Sequence, residues 1–167
     1  MVHKLKTRLA REESGFTLIE LLVVLIILAI LLAIAIPSYL SFKDRANKTS
    51  AESAVRTLVP SIEAYGSDNT PGAPATQDPD ASSTDNGYTG MTAAILASKY
   101  DQSLDVSATE HVWVNPTDTN HPAGATSFVA PTDNVYCAVA QVADWYAWKA
   151  GPDKPIKADK TVANVCT

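Results

Sequence analysis

The stretch Gly15-Phe16-Thr17-Leu18-Ile19-Glu20, followed by LLVVLIILAILLAIAI from Leu21 to Ile36, joins a basic, polar leader to a long apolar run. From Leu21 to Ile36 there is no charge and no strong polar group. With Phe16 to Ile19 added, about 21 residues would span about 31 Å as a helix, enough to cross the hydrocarbon core of a bilayer. Glu20 stands inside this segment. A carboxylate there costs about 3 kcal/mol and marks a functional site by default.

Other readings of the segment fit less well. A secretory signal peptide would use Ala33-Ile34-Ala35 as its cleavage site, but the apolar run is too long and Glu20 interrupts it. A plain membrane anchor gives no reason for Glu20, nor for a glycine immediately before a Phe-led run. A core helix of a soluble protein would not be apolar on every face over this length. With no cysteine near the end of the run, a lipoprotein is not suggested. The leader carries Lys4, Lys6, Arg8 and Arg11 against Glu12 and Glu13. The positive-inside rule therefore keeps it cytoplasmic and sends the rest outward. The whole chain has a formal charge of −5, and without the leader it is more acidic still. Such an exterior argues against nonspecific nucleic-acid binding by an isolated subunit.

Beyond the apolar run, Lys43–Lys48 (KDRANK) marks the exit from the apolar layer. Ala51, Val55, Leu58, Ile62 and Tyr65 then recur at steps of three and four, giving one apolar helix face suited to packing on a head. Pro37 and Pro60 each remove a backbone donor, so a kink or local loosening is expected at both. Gly66-Ser67-Asp68-Asn69 is the expected stop. A helix from Phe16 to Tyr65 would be about 75 Å long, more than one membrane requires. Aromatic residues along it (Phe16, Tyr39, Phe42, Tyr65) read as packing between helices rather than as a path for electrons.

Of the 167 residues, some 100 beyond Ser67 make up the head, so its core is modest. Thr70–Gly90 reads as an irregular surface loop. Asp78, Asp80 and Asp85 lack EF-hand spacing and read as a solvated turn rather than a calcium site. Met91–Tyr100 reads as a short helix with Thr92 as its cap. Strands are expected at Leu104–Ser107, Val112–Asn115, Ser127–Ala130, Val135–Val142 and Trp145–Lys149, with a hairpin turn at Val142-Ala143-Asp144-Trp145. One face of the resulting antiparallel sheet should pack on the helix near Val55–Tyr65. Trp145 and Trp148 fall on opposite faces. His3, His111 and His121 are scattered, and no HExxH, GxSxG or phosphate-binding glycine loop is present. The residues point to no enzyme, no metal site and no cofactor.

The junction Gly15 to Glu20 resembles the prepilin signature of type IV pilins and their relatives, the type II secretion pseudopilins among them. Gly15, Phe16 and Glu20 match it position by position, and Pro37 matches a proline common near the end of the apolar segment. The resemblance covers roughly Ser14–Phe42; the remainder is similar only in layout. It implies cleavage between Gly15 and Phe16 by a membrane peptidase that also methylates the new amine. It further implies lateral packing of the helix into a filament core, with Glu20 acting in assembly. It implies an α+β fold: a long helix, its first half membrane-spanning, on a small antiparallel sheet. The expected parts are a leader (1–15), the helix (16–66, with 16–36 in the membrane or filament core) and an extracytoplasmic head (67–167). Cys137 and Cys166, the only cysteines, read as a disulfide in an exported head, against free thiols or a metal pair. They sit where the resemblance would place one.

The resemblance implies a structural subunit of an extracellular type IV pilus, or alternatively a pseudopilin of a secretion or competence system. A third alternative is a minor tip subunit that adheres to a surface or binds DNA. Partners would be further copies of the chain in a helical filament, the prepilin peptidase and methylase, and an inner-membrane assembly machinery with its cytoplasmic ATPase. The subunit would start as a single-pass cytoplasmic-membrane protein, leader inside and head outside, and end in a cell-surface pilus.

Overall fold

Apolar side chains every three or four positions carry the helix that organises this chain. In the computed structural model, which describes residues 15–73, 77–82, 84–104, 112–118, 124 and 128–167, helix α1 runs Leu18–Asp68. It continues through both Pro37 and Pro60 and ends within the expected stop. The chain divides into two compact units that meet in sequence between Lys43 and Asp44, so the second part of α1 belongs to the unit that holds the sheet.

In that second unit the buried residues of α1 are Ala51, Val55, Leu58, Ser61, Ile62 and Tyr65, the face expected from the spacing with a serine added. A short helix α2, Ala93–Lys99, is capped by Thr92, whose hydroxyl accepts the Ile95 amide. Four antiparallel strands follow: β1 Val112–Trp113, β2 Cys137–Val142, β3 Trp145–Ala150 and β4 Lys157–Asp159, in the order β1-β2-β3-β4. The β2–β3 hairpin turns at Ala143-Asp144, with Ala143 at φ 53°.

Alternation along β2 and β3 separates two cores. Ala138, Ala140 and Ala147 share a cluster with Val55, Leu58, Ile62 and Tyr65 of α1. The side chains of these three are small, so most of the bulk of this cluster comes from α1 and from Tyr88, Met91, Leu96, Val114 and Tyr136. On the opposite face Cys137, Val139 and Trp148 pack with Trp113, Phe128 and Val165. Leu58 is only 1% exposed at the centre of the first core. Leu58→Ala is expected to lower the stability of this unit by about 2–5 kcal/mol, through lost transfer energy and the cavity left behind. Urea unfolding followed by tryptophan fluorescence should show the shift; a midpoint like that of the parent would contradict this packing.

Several strand expectations need correction. β1 stops at Trp113 because the Asp118 carboxylate captures the next two amides, Val114 and Asn115, both at 2.8 Å, and bends the chain away from the ladder. Phe128–Ala130 is irregular: Phe128 is buried in the second core, and the chain turns again where the Thr132 amide donates to the Val135 carbonyl. Leu104 lies outside any strand, partly buried against the first core. Residues 105–107 and Ser127 lie outside the described residues, as do residues 1–14, His3 among them, and His111 and His121. β2 begins at Cys137, not Val135. β4 was not expected; it is a short edge strand with Lys157 exposed, which suits an unpaired edge.

The loop after α1 is not simply solvated. Asn69 is fully buried and donates through its side chain to the Gly87 and Thr89 carbonyls at 3.1 and 2.9 Å. The Tyr65 hydroxyl donates to the Thr89 carbonyl (2.7 Å) and faces Asp80 (3.3 Å). Asp78 is 1% exposed, correcting its reading as a solvated turn residue. Burial raises the pKa of Asp80, and the neighbouring Asp78 carboxylate adds to the effect. Glu63, on α1, accepts from Tyr88 (2.7 Å) and Tyr136 (3.2 Å), tying this loop and the chain entering β2 to one carboxylate. Burial, followed by the Glu63 carboxylate, pushes the Tyr88 phenol up to about 12.

Candidate processing and assembly site

Gly15, Phe16 and Thr17 precede the first turn of α1 in non-helical conformation. Nothing surrounds Gly15: a Cβ built there would meet no atom within 4 Å. The structure itself therefore imposes no need for glycine at that position. Phe16 is 89% exposed.

Thr17 and Glu20 close on each other. The Glu20 carboxylate accepts the Thr17 amide at 2.8 Å and the Thr17 hydroxyl at 2.7 Å. In return the Glu20 amide donates to the Thr17 hydroxyl at 3.3 Å. This is a capping box, in which two amides left without partners at a helix start are satisfied reciprocally. Thr17 was overlooked as a site residue, although the pattern T-x-x-E before an apolar run was legible. Glu20 thus has a local partner while the peptide bond to Gly15 is intact. Shallow apolar hollows flank it, lined by Phe16, Ile19, Val23 and Val24 on one side and by Leu21, Val24 and Leu25 on the other.

From Phe16 to Phe42 every residue is exposed, and the rest of the chain covers none of this apolar stretch. Leu22, Val23, Ile26, Ile30 and Ile34 each show about half or more of their surface. A helix apolar on all sides and left bare needs an apolar surrounding. Pro37 lies within this part of α1, and the Ser38 hydroxyl beside it donates to the Ile34 carbonyl at 3.3 Å.

Cys137 and Cys166 are joined as a disulfide with Cα atoms 6.0 Å apart, and no described cysteine is free. Cys137 opens β2, and Cys166 follows the short 3₁₀ turn Val162–Asn164. Val165, beside it, is fully buried in the second core. The carboxy-terminal segment is therefore held by a covalent bond, one apolar anchor and the β3–β4 ladder. Among the described residues, no group of three or more His, Cys, Asp or Glu side chains is arranged to hold a metal ion.

Residues 10–36 match the family model described as the prokaryotic N-terminal methylation motif. The type IV wide pilus major component of Thermus thermophilus is 33% identical over 148 residues, covering 87% of both chains. The chain belongs to the type IV pilin family. The type II secretion system core protein G of Pseudomonas aeruginosa is 41% identical over 59 residues, 35% of this chain and 42% of that one. The type IV major pilin of Myxococcus xanthus is 36% identical over 62 residues, 37% of this chain and 28% of that one. In these last two the chain matches less than half of the relative. The relatives are pilus and secretion-system components, not enzymes. No solved structure matches the chain.

Proposed function

We propose that this chain is a prepilin, cut between Gly15 and Phe16, whose remaining part polymerises through α1 into an extracellular type IV pilus. The observation that carries this reading is the bare apolar stretch Phe16–Phe42 with one carboxylate, Glu20, at its start. Before assembly that stretch sits in the cytoplasmic membrane, with the leader inside and the head outside. After assembly copies of the same helix replace the lipid. Gly15 and Phe16 are the processing residues, and Pro37 is where the helix yields on leaving the membrane. The peptidase, the methylase and an ATP-driven assembly machinery are the partners this route requires.

A pseudopilin role has its own support in the match to type II secretion core proteins. That match stops after 59 residues, whereas the match to the pilus component runs over 148 and takes in the head. The pilus is therefore the reading adopted. Electron microscopy of sheared surface fibres, with mass spectrometry of their main component, tests it. The expected result is a fibre subunit that begins at an N-methylated Phe16. Gly15→Val is expected to leave the leader attached and the fibres absent. A mature start at Ile36, or fibres that lack this chain, would overturn the proposal.

A further inference from the structure

Asn86-Gly87 is the only Asn-Gly pair in the chain. Such a pair carries a reaction of its own. A glycine has no side chain to shield its amide nitrogen, and its backbone is free to bring that nitrogen to the carboxamide of the residue before it. The Gly87 nitrogen bonds to Asn86 Cγ, and the Asn86 amide nitrogen leaves as ammonia with the Gly87 proton. The product is a cyclic imide. Water opens it at either carbonyl, leaving an aspartate or an isoaspartate at position 86. Asn86 is exposed, so water reaches it.

The fold holds this pair in a form that does not react. The peptide group between Asn86 and Gly87 is tied at both edges. The Gly87 amide donates to the Asn69 carbonyl at 3.0 Å, and the Asn86 carbonyl accepts the Thr89 amide at 3.2 Å. The next carbonyl, that of Gly87, accepts the Asn69 side chain at 3.1 Å. A planar peptide group held on both sides cannot turn its nitrogen toward the neighbouring side chain. The nitrogen must also lose its proton to attack, and a carbonyl oxygen facing it favours the N–H form. Asn69 is itself anchored. It is fully buried, its amide closes the end of α1 on the Tyr65 carbonyl at 2.9 Å, and its side chain also donates to Thr89. Gly87 has φ 59°, and a Cβ there would run into the Asp133 carbonyl. The turn therefore requires the glycine that makes Asn86 reactive.

We propose that Asn86 is a self-modification site gated by its seat on Asn69. Deamidation proceeds when the turn Asn86–Thr89 lifts from the end of α1, and it makes that opening permanent. An isoaspartate puts one more carbon into the main chain, so the two bonds between Asn69 and Gly87 lose their register. Either product adds a carboxylate beside Asp85, next to a glycine that lies against the Asp133 carbonyl. The added charge opposes return of the turn. The sheet-bearing unit thus keeps a chemical record of how often this turn has opened.

The full chain in mild detergent, held in weakly alkaline buffer with and without enough urea to unfold the sheet-bearing unit, provides the test. Trypsin releases the peptide Thr57–Lys99, and fragment masses separate a change at Asn86 from one at Asn69 or Gln77. Deamidation at Asn86 is expected to run at least about tenfold faster in urea than in the folded chain. Asn69→Ala leaves the reacting pair intact and removes two hydrogen bonds to the turn, so the folded variant should react about tenfold faster than the folded parent. Tyr65→Phe removes only the phenol bond to the Thr89 carbonyl and should give a smaller rise. Tryptophan fluorescence shows which variants are folded. Hydrogen exchange at the Gly87 amide should quicken in the same order, and Asn86→Gln should leave no product at position 86. Equal rates in the folded and unfolded parent, or no product in urea, overturn the proposal. Folded variants that react no faster than the parent overturn it as well.

Discussion

Glu20→Ala is expected to yield a chain that inserts, loses its leader after Gly15, and builds no fibres. On the proposed route, cleavage would replace the Gly15–Phe16 peptide bond by an α-amine with a pKa near 8, cationic at neutral pH. Glu20 lies one helical turn on, near the positive end of the helix dipole. In an apolar fibre core a carboxylate without a cationic partner is costly. In the proposed assembly, pairing with the amine of the adjoining subunit would remove that cost and fix the axial register of each addition. The capping box adds a control. Glu20 also caps α1 through Thr17, and losing such a cap costs only about 1 kcal/mol. Thr17→Ala removes the hydroxyl partner but keeps the carboxylate, so fibres should persist. Glu20→Gln keeps an acceptor but removes the charge, so fibres should be lost. Fibre counts by electron microscopy, with processing followed by mass, decide between charge and cap. Normal fibres in Glu20→Ala or Glu20→Gln would defeat the pairing mechanism.

Cys166→Ser is expected to lower the stability of the sheet-bearing unit by about 3–4 kcal/mol while leaving membrane insertion unchanged. The bond spans a sequence separation of 29, and closing a loop of that size removes about that much chain entropy from the unfolded state. The part of the enclosed segment after β3 has little else to hold it: β4 pairs over three residues, and among the residues from Gly151 onward only Gly151 itself and Val165 are fully buried. Cys137→Ser should behave alike, with a small added loss because Cys137 is 4% exposed in the second core. Urea midpoints of the parent with and without reductant, compared with those of both variants, measure the effect. Midpoints that agree within error would show that the ladder and Val165 suffice.

Where local periodicity ruled, the sequence was easy to read. Ala51, Val55, Leu58, Ile62 and Tyr65 showed their face because a helix repeats every 3.6 residues, and the β2–β3 hairpin showed because alternation broke at Ala143-Asp144. What escaped depends on contacts between distant residues. Asp78 is buried through a loop folded back beside Tyr65 and Asn69, which no pattern within that loop records. β1 was overextended because Asp118 takes its amides, and β4 was missed because three mostly polar residues carry no alternation. The Gly15–Glu20 junction is legible in its identities, and the Thr17–Glu20 cap follows from the T-x-x-E spacing, although the charge of Glu20 is its more conspicuous feature. The partners of Trp145 lie 101 residues before it, at Asp44, and across the sheet at Lys160, beyond reach of any spacing rule.

The covalent link between Cys137 and Cys166 also changes what a protease can do to this chain. The turn Pro152–Pro155 is exposed and lies inside the closed loop. A single cut there opens the backbone but separates nothing, because both new ends remain on one molecule through the sulfur bridge. A nicked subunit keeps its mass on a non-reducing gel and splits only when thiol is added. Damage at that turn need not shed any part of the head.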